Sequence, residues 1–170
     1  MTMPPGPIAG PAAWRGADMA RRDDWIVRLT PAHVAELEGA LAAVRGRDLL
    51  DIRRADFPLP TLQAMLHDVR REVLDGRGFV LLRGLPAERH DVRELATLYW
   101  GIGTYLGAPL SQNAAGHVLG HVRDMGRDEN DPTARIYQTT RRQYFHTDSC
   151  DIVGLLCVRT ARRGGTTPSA

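Results

Sequence analysis

In this 170-residue sequence the side chains best suited to chemistry are His146 and Asp148, within Tyr144-Phe145-His146-Thr147-Asp148. In an extended strand successive side chains alternate between faces, so His146 and Asp148 are expected on one side and Thr147 on the other. An imidazole and a carboxylate on one face can ligate a single metal ion. They are two of the three ligands in the arrangement of two histidines and one carboxylate that holds non-haem iron(II) and leaves coordination positions open for reactants. A surface histidine near a turn aspartate produces the same two letters, so the spacing alone leaves both readings standing.

Other residues compete for attention. His117 and His121 are four apart, the spacing that puts two ligands on one helical face in zinc sites, but Gly116 and Gly120 flank them and Val118, Leu119 and Val122 suit a strand. They read rather as residues lining the substrate side of a sheet. Tyr137 and Gln112 suit a pocket, or a buried tyrosine and a turn glutamine. Cys150 and Cys157 lack C-x-x-C spacing and read as reduced structural thiols. A zinc hydrolase built on His146 and Asp148 ranks below an iron site, because no further H-x-H, H-x-x-E-H or cysteine cluster accompanies them.

The elements that must position these residues follow from patterning. Residues 1–23 are rich in Pro, Gly and Ala, with Trp14 and Met19 as the sizeable side chains, and are expected to be an irregular arm until they dock. Thr30 can cap a helix whose first position suits Pro31, with Val34, Leu37, Leu41 and Val44 on one stripe and Gly46 as the stop. A second helix is predicted from Thr61 to Asp75 on Leu62, Met65, Leu66, Val69 and Val73. The apolar run Gly78-Phe79-Val80-Leu81-Leu82-Arg83-Gly84 reads as a buried strand. Asp91 and Glu94 open a third helix through Val92, Leu95, Leu98, Tyr99, Ile102 and Leu106 by a capping box. After Pro109 short strands are expected over 118–125, 135–138, 144–148 and 152–158, with a polar turn region over 126–132. Helices first and strands afterwards predict an α+β fold.

Four segments, in order, resemble the taurine dioxygenase-like (TauD/TfdA) family. Gly78 to Pro86 is similar to its early strand ending in R-G-[LVF]-P. Tyr105-Leu106-Gly107-Ala108-Pro109 with Gln112 is similar to L-G-x-P-x-x-Q. His146 and Asp148 match H-x-D. The apolar run after them is followed by Gly164-Gly165-Thr166-Thr167 and Ser169, as in the family's G-G-x-T with a nearby serine. The resemblance covers residues 75–170. It implies helices flanking an incomplete double-stranded β-helix, a jelly-roll of the clavaminate synthase-like type, with residues 24–170 forming the N-terminal part of the dioxygenase domain. It implies Fe(II) held by His146 and Asp148, 2-oxoglutarate as cosubstrate with its distal carboxylate hydrogen-bonded by Thr167, and dioxygen with a small-molecule substrate that none of these motifs specifies. Family members also carry a distal histidine ligand and a carboxylate-binding arginine far downstream of G-G-x-T. No histidine follows His146. The chain by itself is therefore expected to be inactive, and the alternative reading is a truncated product or interaction module without turnover.

Composition agrees with this class and excludes others. Hydrophobic residues make up 43% and charged residues 25%, as in an ordinary globular domain. All 22 basic residues are arginine, set against 20 acidic ones, and the formal net charge of +2 is too small and too scattered to track a phosphate backbone. No nucleic-acid partner is expected. The first eleven residues lack a basic segment followed by an apolar stretch, and no apolar run approaches membrane-spanning length, so a cytoplasmic protein without membrane contact is expected.

Overall fold

Thr30 opens the first long helix as its composition demands: its Oγ1 accepts the His33 amide at 3.2 Å, while His33 Nδ1 accepts the Thr30 amide at 3.3 Å. A histidine thus takes the reciprocal place usually held by Glu or Gln in a capping box. The computed structural model describes residues 6–7, 9–112, 116–128, 137, 139–140, 142, 144 and 146–160. The chain divides into two units, Met1–Ala108 with Gly154–Ala170, and Pro109–Val153.

In the first unit the order is α1 (Gly16–Met19), β1 (Ile26–Arg28), α2 (Pro31–Ala43), α3 (Leu62–Leu74), β2 (Leu81–Arg83) and α4 (Val92–Leu106), with single 3-10 turns in the connections. The three long helices begin and end within a residue or two of where periodicity and caps place them. The strand expected between Gly78 and Gly84 narrows to β2, which pairs in parallel with β1 in the register Ile26↔Leu81, Val27↔Leu82, Arg28↔Arg83. Three residues of β1 carry too little alternation to announce a strand. Their extended state comes from the ladder, which Leu29 N–H extends to the Arg83 carbonyl at 2.7 Å. Gly84 follows with φ +103°, and a Cβ there would stand 3.2 Å from the Leu29 carbonyl oxygen, so both backbone conformation and the close neighbouring chain favour glycine.

The N-terminal arm holds one helical turn, α1, and docks through Trp14. The indole N–H donates to the Arg77 carbonyl at 2.9 Å, and the ring meets Phe79 edge-on at 5.0 Å. Arg77 in turn joins Glu72 at 2.6 Å and Asp24 at 3.0 Å, linking the end of α3 to the approach to β1.

The core is where α4 meets α2 and α3. Leu37, Ala40, Leu41 and Val44 from α2 and its C-cap, Leu62, Leu66 and Val69 from α3, and Leu95, Leu98, Trp100 and Ile102 from α4 are buried. The connector between α2 and α3 adds Ile52, Phe57 and Leu59, also buried. This connector has little regular structure, yet side chains of α4 pair with three of its backbone groups. Trp100 Nε1–H donates to the Ile52 carbonyl at 2.9 Å, Tyr105 Oη–H donates to the Phe57 carbonyl at 2.9 Å, and Tyr105 Oη accepts the Leu59 amide at 3.0 Å. Arg70 Nε–H reaches the Leu106 carbonyl at 3.0 Å and places a cation at the C-terminal end of α4, where the helix dipole favours it.

Helix α3 lacks a side-chain cap of its own, since Thr61 is already in helical conformation. The acceptor comes from α2 instead. Glu36 Oε1 takes the Thr61 amide at 2.8 Å and the Thr61 hydroxyl, and Oε2 takes the Leu62 amide at 3.0 Å. Partial burial pushes the Glu36 carboxyl up, but the hydrogen bonds from Thr61 and Leu62 together outweigh it and hold the group below its ordinary value. A carboxyl lowered in the folded state adds stability above its unfolded titration, and that increment is lost as pH falls through the folded one. Glu36→Ala is expected to cost about 1–2 kcal/mol, the range for a lost helix cap, and to shrink the acid dependence of the urea midpoint. An unfolding free energy within about 0.3 kcal/mol of the parent would remove this capping role.

After α4 the described residues form no strand, which corrects the expectation for 118–125 and 152–158 and for Tyr144, His146, Thr147 and Asp148. Residues 135–138 lie largely outside the described set. A strand is a property of a pair, and a continuous apolar run becomes one only where a neighbour takes up its ladder bonds. Among the described residues the second unit offers single contacts of this kind, such as the Arg123 amide to the Tyr137 carbonyl at 3.1 Å. In the same unit Val122 is 68% exposed and Val153 54%. No helix among the described residues is long and apolar enough to cross a membrane.

Candidate functional site

His146 and Asp148 lie in the unit Pro109–Val153 and come together without a strand. Nε2 of His146 stands 3.8 Å from Oδ1 of Asp148, and the two side chains are about half exposed, 49% and 52%. Residues 146–148 have no assigned secondary structure, so no sheet ladder orders the pair. What fixes the ring is a local contact. His146 Nδ1 is 2.9 Å from the carbonyl oxygen of Tyr144, two residues earlier. Since a carbonyl only accepts, this contact puts a proton on Nδ1, and in the neutral ring the lone pair is then on Nε2, the nitrogen that faces Asp148. Metal-bound histidines commonly carry this carbonyl tether on the nitrogen away from the ion. The sequence carried no signal for it, because the partner is a backbone atom.

These donors fit an iron ion in type and nearly in spacing. Two ligands about 2.1 Å from one ion and at right angles stand about 3 Å apart, so closing the pair around an ion requires a movement of under about 1 Å. Among the described residues no group of three His, Cys, Asp or Glu side chains is placed to hold an ion. By itself the pair offers two donors, fewer than such an ion needs. Nearby, the Arg142 guanidinium lies 5.9 Å from the centre of the Tyr144 ring, and the Cys150 thiol points to its local Ile152 carbonyl at 3.6 Å. That contact matches the structural reading of Cys150.

The other candidates are dispersed. His117 and His121 are exposed and outside any helix, so the four-residue spacing does not align them on one face. The His117 carbonyl instead accepts the Gln112 amide at 2.6 Å, closing a turn, and the Tyr137 carbonyl serves the Arg123 contact already noted. Thr167 lies outside the described residues.

Residues 43–170 match the model of the taurine catabolism dioxygenase TauD, TfdA family. The chain is 30% identical over 162 residues to the FR-33289 synthase of Streptomyces rubellomurinus, covering 94% of this chain and 48% of that protein. It is 30% identical over 171 residues to a taurine hydroxylase-like protein of Stachybotrys chartarum, covering 95% of this chain and 44% of that protein. The chain thus spans about half the length of these relatives. With the family model matching most of its residues, the chain belongs to the TauD/TfdA dioxygenase family.

Proposed function

We propose that this sequence contributes the N-terminal half of an Fe(II)- and 2-oxoglutarate-dependent dioxygenase that hydroxylates a small molecule, with His146 and Asp148 as two of the three iron ligands. The observation that carries the proposal is the convergence of His146 Nε2 and Asp148 Oδ1 at 3.8 Å, with His146 Nδ1 tethered to the Tyr144 carbonyl. Iron(II) at such a site supplies the activation of dioxygen that couples decarboxylation of 2-oxoglutarate to oxidation of a substrate C–H bond. The protein's part is orientation. The Tyr144 carbonyl holds the imidazole in the ligating tautomer, and the Asp148 carboxylate offsets cationic charge beside it. Half-exposure leaves both side chains accessible to incoming ligands.

Thr167 is assigned the hydrogen bond to the distal carboxylate of 2-oxoglutarate on the strength of the G-G-x-T resemblance alone. The reading places residues 24–170 in the N-terminal part of the dioxygenase domain, behind the arm 1–23, with the jelly-roll belonging to the full-length polypeptide. A cytoplasmic enzyme is inferred. The substrate class rests on the relatives, one of which is named as hydroxylase-like.

The test is anaerobic titration of the chain with iron(II), in parallel with His146→Ala and Asp148→Ala. Weak binding that disappears in both variants is the expected result. Equal binding by parent and variants would remove the assignment and favour a module without turnover.

A further inference from the structure

Arg54 opens the single 3-10 turn Arg54–Asp56 in the connector between α2 and α3 and is exposed. Among the described residues its guanidinium takes part in no hydrogen bond and no ion pair. Its contact is with a ring: the guanidinium carbon lies 4.3 Å from the centre of Tyr105, near the end of α4. The π face attracts the cation but offers it no oxygen or nitrogen acceptor, so the N–H donors stay available. Acids that could quench them are engaged elsewhere. Asp56, two residues on, pairs with Arg47 at 2.8 Å and accepts the Arg53 amide at 2.9 Å. Glu36 has both oxygens on the start of α3.

The ring beneath Arg54 is fixed in place. Tyr105 Oη donates to the Phe57 carbonyl and accepts the Leu59 amide, so its hydroxyl is held from two sides. Pro58 and Pro60, on either side of the buried Leu59, have their φ locked by the pyrrolidine ring and form stiff apolar walls. Together these residues line an open hollow of about 570 Å³, within the range of small-molecule sites. Gln63, on the first turn of α3, lies on the same hollow. Its Nε2 donates to the Pro60 carbonyl at 3.2 Å, which leaves Oε1 and a second N–H without a partner among the described residues. The lining is thus mostly apolar, with one cation and one amide, the composition that binds an organic molecule and orients it by its polar end.

We propose that Arg54, Tyr105 and Gln63, walled by the two prolines, form a binding site for a small organic carboxylate with a flat apolar body. A guanidinium presents its N–H groups in one plane that matches a carboxylate and can bond both oxygens with charge assistance. The proline and tyrosine faces take the apolar body, and the open rim admits it. The site shares no residue with the pair assigned to iron, so it stands or falls independently of that assignment.

The test uses the 15N-labelled 170-residue chain with benzoate as probe, followed in 1H–15N spectra at the Arg54 Nε–H and the Gln63 side-chain amide. Benzoate should shift both signals saturably, with a Kd on the order of 1 mM, modest for a ligand of its size. Benzamide keeps the body without the charge, and acetate keeps the charge without the body. Each should bind at least about tenfold more weakly, since a charge-assisted bond is roughly twice as strong as a neutral one and the body supplies the rest. Arg54→Gln should lose benzoate to the same extent while the rest of its spectrum is kept. Benzamide or acetate binding as tightly as benzoate, shifts confined to other residues, or undiminished binding by Arg54→Gln would each overturn the site. Should Arg54→Gln fail to fold, the three probes on the unaltered chain decide by themselves.

Discussion

In a polypeptide of the relatives' full length carrying this sequence as its N-terminal half, His146→Ala and Asp148→Ala each lower iron-dependent succinate release by more than roughly a hundredfold. Losing an outer partner of a metal ligand typically costs 10–100-fold, and removing the ligand itself costs more. The expectation rests on the proposed site. Nε2 and Oδ1 are 3.8 Å apart, close enough to share an ion, and the carbonyl of Tyr144 orients the ring. His117→Ala and His121→Ala serve as controls and should stay within a few-fold of the parent, because neither side chain is placed with the pair. The 170-residue chain alone should release no succinate, since two protein ligands hold the ion poorly. It also has no arginine assigned to the cosubstrate, and a charge-assisted pair is about twice as strong as the neutral bond Thr167 offers. Retained turnover in His146→Ala would withdraw the assignment. Succinate release by the 170-residue chain would require another residue, such as His117 or His121, to complete the sphere.

Phe57→Ala is expected to have the largest effect on stability, about 3–5 kcal/mol, as for other fully buried phenylalanines. Phe57 is 0% exposed and packs directly on Gly101 in the middle of α4. A cavity there removes the contact that seats the irregular connector on the helix, a large share of the roughly 5–15 kcal/mol that holds a domain. Gly101→Ala probes the same contact from the other side. Helix propensity alone predicts a gain of about 1 kcal/mol, but the new Cβ would overlap the Phe57 ring, and overpacking costs about 1–3 kcal/mol. Packing should win, so both substitutions lower the denaturation midpoint. A stabilised Gly101→Ala would show that the ring can move aside, and a loss under about 1 kcal/mol for Phe57→Ala would remove this contact from the centre of the core.

Helices α2, α3 and α4 were legible in the sequence because their signals are local. Thr30 with Pro31, the three-and-four spacing from Leu62 to Val69, and Asp91 with Glu94 each act within one or two turns, and the observed bounds Pro31–Ala43, Leu62–Leu74 and Val92–Leu106 follow them. The family was legible because four short motifs recur in a fixed order, and the matched region 43–170 contains them all. The pairing of β1 with β2, the capping of α3 by Glu36 and the seating of Phe57 on Gly101 were not legible. Each joins residues between 25 and 55 or so positions apart, and no composition window or periodicity spans that distance. Among the described residues the strands expected over 118–125 and 152–158 do not form, for the same reason in reverse. Their residues suit a sheet, but pairing depends on a neighbour that local patterning does not supply. The sequence by itself therefore determined the helices and the family, and it is the source of the proposal that His146 and Asp148 hold iron. Tertiary structure decided which distant backbone and side-chain groups satisfy one another, because a hydrogen bond or a packed ring needs both partners in place before either has its energy.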